Sequence, residues 1–226
     1  MLDAFLLCEI RKAMKMRGLK LVAALLVLFL GAAVWPMATF AKAPPLALNA
    51  DQQQEVKRIN DFINSFQSLK AAFDQISPKG VHTSGTLYIS KPGKLRFDYA
   101  NNPLLIVADG RWLTIKDRVH ETGDQFPLAA TPLRLVVSPQ IDLLAETDVI
   151  AIDTQDGLTT VSLQDRKDAM GGYITMIFND KLRQLQQWVV VDGKDRRTTI
   201  QLSNIELGGK FDPKLFVGEI KRDRKQ

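Results

Sequence analysis

The sequence predicts an α+β fold, one N-terminal helix followed by a curled or barrel-like antiparallel sheet, on three observations. Val56, Ile59, Phe62, Ile63 and Phe66 recur at three- and four-residue spacing, the period of one helix face. From Gln67 onward the pattern changes to short alternating runs broken by turn residues, as in strands with one face on a core. Between residues 127 and 146 the alternation gives way to an apolar helical insertion, "PLAATPLRLVVSPQIDLLAE".

Taken in order, the elements begin after a segment that fold reasoning sets aside. Arg11, Lys12, Lys15, Arg17 and Lys20 precede an uncharged, mostly apolar run from Leu21 to Ala41, the layout of an export signal. Cleavage fits after Ala41 or after Ala43, and the first is preferred because Pro44 would follow the second cut. A run of 21 residues is also long enough to cross a bilayer, so an uncleaved anchor is the alternative. Met14 or Met16 would each serve as the start. Residues 1–41 hold five of the 30 basic and two of the 25 acidic residues, which leaves the remainder at +2 and gives no ground for a nucleic-acid partner. Cys8, the only cysteine, lies upstream of the apolar run behind Leu-Leu, a poor context for lipid attachment. The exported chain, about 185 residues, then suits an oxidising envelope compartment without a disulfide and buries a core unaided.

Residues 42–50 read as a linker, and Asp51 with Gln54 as a capping box opening a helix that ends at 64–66. Ten strands follow, at 67–76, 83–91, 94–100, 104–108, 111–116, 148–153, 158–165, 172–179, 183–191 and 197–206. The links between them include Asp109-Gly110, Asp156-Gly157, Asn179-Asp180 and Asp192-Gly193, residues that accept positive φ in tight turns. In the insertion, Thr131-Pro132 and Ser138-Pro139 each place an N-cap residue before a proline, predicting two short helices in tandem. Such a segment either plugs the sheet or moves over it. Residues 221–226, KRDRKQ, read as a solvated basic tail.

The inventory of reacting groups is thin. His82 and His120 are the only histidines and lack metal-ligand spacing. The sequence has no Gly-x-Ser-x-Gly elbow and no glycine-rich phosphate loop, and Asp109, Asp156, Asp180 and Asp192 sit where turns want them. Neither metal nor cofactor is implied, and a binding protein fits better than an enzyme. "KLRFDYA" interleaves aromatic and basic residues, but Asp98 interrupts the basic face, against a nucleic-acid platform. Its apolar stripe, Leu95, Phe97 and Tyr99, has two readings, closed core or the wall of a cavity for an apolar ligand.

The export signal, the N-terminal helix, "GTLYISKPGKLRFDYANNPLLIVADGRWL", the helical "TPLRLVVSP" and the closing "LSNIELGGKFDPKLFVGEI", in that order, resemble the outer-membrane lipoprotein carrier family, LolA. The most specific stretch is 85–113, with Gly85, Tyr88, Lys91-Pro92, Phe97 with Tyr99, Pro103, and Ala108-Asp109-Gly110 before Trp112. The resemblance implies one domain over residues 51–220, a strongly curved, incompletely closed antiparallel barrel whose apolar concave face is covered by a helical lid. Leu87, Ile89, Leu95, Phe97 and Tyr99 would line the concave wall, the face of the first two being open by one register step. Val56, Ile59, Phe62, Leu133, Val136, Val137, Ile141 and Leu144 would form the lid.

Family members commonly carry Arg before the turn proline, where it ties the sheet to the lid; this chain has Lys91, which is either a weaker latch or a solvated turn lysine. The implied function is a periplasmic chaperone, a monomer without chemistry of its own. It would take acylated lipoproteins from an inner-membrane lipoprotein exporter complex to an outer-membrane lipoprotein acceptor. A membrane-anchored lipid or lipoprotein sensor using the same half-barrel is the alternative.

Overall fold

Asn49, two residues upstream of the expected cap, opens the first helix, α1 (Ala50–Ser65), in a computed structural model that describes residues 43–166 and 172–218. The export segment, Lys42 and the whole of the basic tail lie outside the described residues. Asn49 is extended, its Oδ1 accepts from Gln52 N at 2.9 Å, and Gln52 Oε1 accepts from Asn49 N at 3.0 Å. The same three-residue spacing therefore closes at 49–52 instead of 51–54, and Asp51 falls in the first turn, where its charge faces the positive helix end. The segment before it is partly docked, with Leu46 N donating to Val149 O at 2.7 Å.

Among the described residues, eleven strands form one antiparallel sheet: β1 (Ser68–Ile76), β2 (His82–Ser90), β3 (Lys94–Tyr99), β4 (Leu104–Asp109), β5 (Trp112–Asp117), β6 (Thr122–Pro127), β7 (Thr147–Gln155), β8 (Leu158–Asp165), β9 (Gly172–Asn179), β10 (Gln184–Asp192) and β11 (Arg197–Leu207). Ten lie within two residues of the expected positions. The eleventh, β6, is an addition: TGDQFP has one large apolar residue, is exposed along most of its length and ends in proline. Those are properties of an edge strand, which carries no core alternation to read.

The spatial order, β6-β5-β4-β3-β2-β1-β11-β10-β9-β8-β7, explains the shape. The chain lays six strands outward from β1, crosses to the far edge through residues 128–146, and lays five more back until β11 pairs with β1. The two edges, β6 and β7, form no ladder with each other, so the sheet curls without closing into a barrel.

The crossing segment holds a 3-10 turn (Leu128–Ala130), α2 (Arg134–Val137) and α3 (Leu143–Glu146). Thr131-Pro132 does not cap α2, whose N-cap is Leu133, but opens the turn that leads into it, with Arg134 N donating to Thr131 O and Leu135 N to Pro132 O, both at 3.1 Å. The Thr131 hydroxyl donates back to Leu128 O at 2.9 Å and so is not available to cap. Ser138-Pro139 does not open the second helix. A residue before proline is driven out of the helical region, so extended Ser138 ends α2, and Asp142, accepting from Ala145 N at 3.0 Å, caps α3.

Candidate functional site: the concave face and its lid

Strand register decides which side chains share the concave face. Ile89 pairs with Leu95, Leu87 with Phe97 and Gly85 with Tyr99, so all five expected wall residues lie on one face, each 0–3% exposed. Phe73 on β1, which sequence reasoning did not single out, sits at their centre, edge-on to Phe97 at 5.0 Å and to Tyr99 at 5.2 Å. Gly85 admits it: a Cβ there would stand 2.9 Å from the Phe73 ring and 2.1 Å from the Asp98 carbonyl oxygen. At the rim, Tyr99 donates to Gln75 Oε1 at 2.8 Å, and burial pushes its pKa up to about 12.

The other half of the face comes from β8 to β11, with Val161, Leu163, Ile174, Met176, Trp188 and Ile200 buried in the same cluster. Trp188 meets Phe97 edge-on at 6.3 Å. On β10 a register shift between Leu185 and Gln187 breaks the period of two, so Leu185 and Trp188 both join the cluster, followed in regular alternation by half-buried Val190.

The expected lid residues pack into that cluster. Val56, Ile59, Val136, Val137 and Ile141 are buried, and Phe62, Leu133 and Leu144 are half-buried against it. In this closed arrangement the stripe is core, and each full side-chain burial contributes about 1.5–3 kcal/mol.

Polar contacts fix how the lid sits. The Lys91-Pro92-Gly93 turn touches both lid elements. Lys91 Nζ donates to the Ile63 carbonyl at the end of α1 and lies 4.3 Å from the centre of the Phe66 ring, while Gly93 N donates to Val137 O of α2 at 2.7 Å. Lys91 is 8% exposed, and burial lowers its pKa to about 8. Gly93 has φ +73°, and a Cβ would stand 2.6 Å from Gly110 Cα, so the turn requires glycine. Arg96, on the opposite face, donates instead to Leu215 O at 3.1 Å on the convex side.

Three further sets of contacts were not foreseen. Asn60 Oδ1 accepts from Leu143 N at 3.0 Å, while Asn64 accepts from Ile141 N at 3.0 Å and donates to Ile141 O at 2.8 Å. Arg134 joins α2 to Glu146 at 2.7 Å and Asp165 at 2.9 Å, and Arg166 donates to the Ala145 and Leu144 carbonyls at 2.7 and 3.0 Å. Arg58, paired with Glu55 of its own helix, binds α1 to the sheet through Asp180 at 2.5 Å and Thr159 at 3.1 Å, above the Phe178 ring, so Asp180 is more than a turn residue. A groove of about 830 Å³ beside α1, lined in part by Lys57, Phe62, Leu144, Phe178 and Arg183, flanks the lid on this side. A cleft of about 490 Å³ at Pro92, Leu128 and Val137 flanks it elsewhere.

His82 and His120 stand apart from the concave cluster, both exposed. His120 Nδ1 lies 2.7 Å from Asp117 Oδ2, and hydrogen bonds from His120 hold that carboxylate at about 2. Among the described residues, no helix is long and apolar enough to cross a membrane, and no group of three His, Cys, Asp or Glu could hold a metal ion.

Fold and site together define an open antiparallel half-barrel with an apolar concave face under a helical lid. The chain belongs to the family described as "Outer membrane lipoprotein carrier protein LolA", whose pattern matches residues 64–218. An outer-membrane lipoprotein carrier protein of Pseudomonas aeruginosa is 26% identical over 196 residues, covering 81% of this chain and 92% of its own length. One from Methylococcus capsulatus is 25% identical over 170 residues, covering 70% of this chain and 80% of its own. A LolA superfamily protein crystal structure from Nitrosomonas europaea superposes with a TM-score of 0.43 at 8% identity, covering 76% of this chain and 98% of that one.

Proposed function

We propose that this protein is a periplasmic chaperone that holds the acyl chains of lipoproteins against the concave face. In this role it carries them from an inner-membrane exporter to an outer-membrane acceptor. The observation that carries the reading is that wall and lid residues form one continuous apolar cluster, although they come from elements with separate polar attachments. Acyl chains would take the place of the lid on Leu87, Ile89, Leu95, Phe97 and Tyr99. Several acyl chains buried without competition would hardly be released, since each methylene contributes about 0.8 kcal/mol. When binding must displace lid contacts, net affinity becomes a difference between two burials, which allows delivery. Lys91 and Gly93 set the position to which the lid returns.

The test is transfer. Purified protein is incubated with inner-membrane vesicles carrying an acylated lipoprotein, and the soluble complex and its delivery to acceptor membranes are measured. Release in a one-to-one complex supports the reading, and no release removes it. The anchored-sensor alternative rests on the 21-residue apolar run before Lys42. N-terminal sequencing of the envelope protein separates the two, because an intact N-terminus in the membrane fraction excludes a shuttle.

A further inference from the structure

Trp188 is fully buried, and its indole N–H has no hydrogen-bond partner. An indole nitrogen can only donate, and a buried tryptophan usually finds an acceptor for it. Phenylalanine would supply a ring at this place without a buried donor. Of the other side chains with unpartnered buried atoms, Arg58, Arg96 and Arg134 each have further N–H groups that are bonded, Gln164 leaves over an acceptor, and Thr83 is only half-buried. Trp188 has one donor, and it is the one left over.

Its surroundings say what could use that donor. Trp188 pairs across the sheet with Met176 and Ile200, both buried in the concave cluster, and its ring meets Phe97 of the wall. The strand that carries it, β10, is among those that α1 packs against. The donor therefore lies in the apolar surface that the lid covers, and an acceptor reaches it only by taking the place of what now covers that face. An alkyl chain has no acceptor to offer. The carbonyl that joins an acyl chain to its glycerol or amine does.

We infer that the Trp188 indole N–H is the polar recognition point of the concave face, donating to the ester or amide carbonyl at the head of a bound acyl chain. This rests on the acyl-binding reading above and deepens it: the protein prefers acyl groups to alkyl groups of equal length. Carbonyl pairing turns an unpaired buried donor into a paired one only in the loaded state, which adds specificity to a surface otherwise selective for size alone.

The test compares a short-chain diacyl phosphocholine with its dialkyl ether analogue of matched chain length, on the wild type and on Trp188→Phe. The ester-to-ether affinity ratio should fall about three- to tenfold in the variant, the worth of one neutral hydrogen bond. In the wild type labelled with ¹⁵N-tryptophan, the Trp188 Nε1–H resonance should shift with the ester and stay in place with the ether, a readout that does not depend on the variant folding. An unchanged ratio, or a resonance that responds alike to both probes, overturns the role of Trp188 and leaves the carrier reading standing. Failure of the wild type to bind either probe removes the carrier reading, and this inference with it.

Discussion

Lys91 shows why a hydrogen bond seen in a closed form does not measure what holds it closed. The ammonium meets a helix-end carbonyl and a ring face, both favourable. Its pKa nevertheless falls from 10.5 to about 8 through burial, so lost hydration outweighs those contacts. Between about pH 8 and 10.5 the unfolded chain, or an open form with Lys91 in water, holds a proton that the closed form has released. Stability therefore rises with pH through that window, and the cost of the buried charge is carried in full below it. Tyr99, raised from 10.0 to about 12, acts in the opposite sense above pH 10, so the Lys91 effect is read between pH 8 and 10. Denaturant midpoints over that range should show a rise on the order of 2–3 kcal/mol, and Lys91→Met should be more stable at pH 7 and lack the rise. Lys91→Arg, charged throughout, should also lack it but without the gain at pH 7. A wild type that is flat from pH 8 to 10 would refute the assignment. The departure from arginine was legible in the sequence. The burial was not, since a lysine in a Lys-Pro-Gly turn gives no local sign of what packs over it.

Among the elements, α1 and the 141–143 stretch are joined by Asn60 and Asn64, one helical turn apart on the same face. The Asn64 amide pairs with both backbone groups of Ile141 as another strand would, so the two elements should move together. Asn64→Ala should cost about 1–3 kcal/mol by leaving that backbone pair unmatched. It should also speed amide exchange at Ile141 and Leu143 while the middle of α1 stays protected; unchanged exchange at Ile141 would show the pairing to be incidental. Nothing marked these residues beforehand, because asparagines on the polar side of an amphipathic helix look solvated until a partner from residues far along the chain is placed on them. Strand positions were legible for a physical reason, as alternation in β3 and β2 reports a half-buried face directly. That signal fails at β6, an exposed edge, and at β10, where an irregular register hid Trp188 among residues of mixed burial. The helix starts were misplaced where two cap signals competed, at Asn49 against Asp51 and at Asp142 against Ser138.

For the whole molecule, the topology puts the gap in the sheet and the lid that spans it under one cause. Strands run from β1 to one edge and from the other edge back to β1, so the chain has to cross between β6 and β7 once, and the crossing segment carries α2 and α3 over the concave face. Opening can then leave the central ladders intact while the lid gives up its burial. With an acyl ligand, exchange should change in residues 132–145 and stay slow in β9 and β10, and a segment 132–145 that does not respond would be a plug instead of a lid. A stricter test removes the motion itself. The Phe62 ring on α1 stands 5.4 Å from that of Phe178 on β9, and the sole native cysteine is Cys8. In a Cys8→Ser background, Phe62→Cys and Phe178→Cys can be joined by a short bis-maleimide, which ties α1 to the sheet. Joined before loading, the protein should take up an acyl probe at least about tenfold more weakly, because the open state is no longer available to be selected. Joined after loading, it should retain the probe for longer, since the return of α1 is what displaces it. The doubly substituted protein with each cysteine blocked separately should behave as the unlinked form. Undiminished uptake by the linked protein would mean that the chains enter without α1 moving, and that the covering of the concave face by this helix has no part in release.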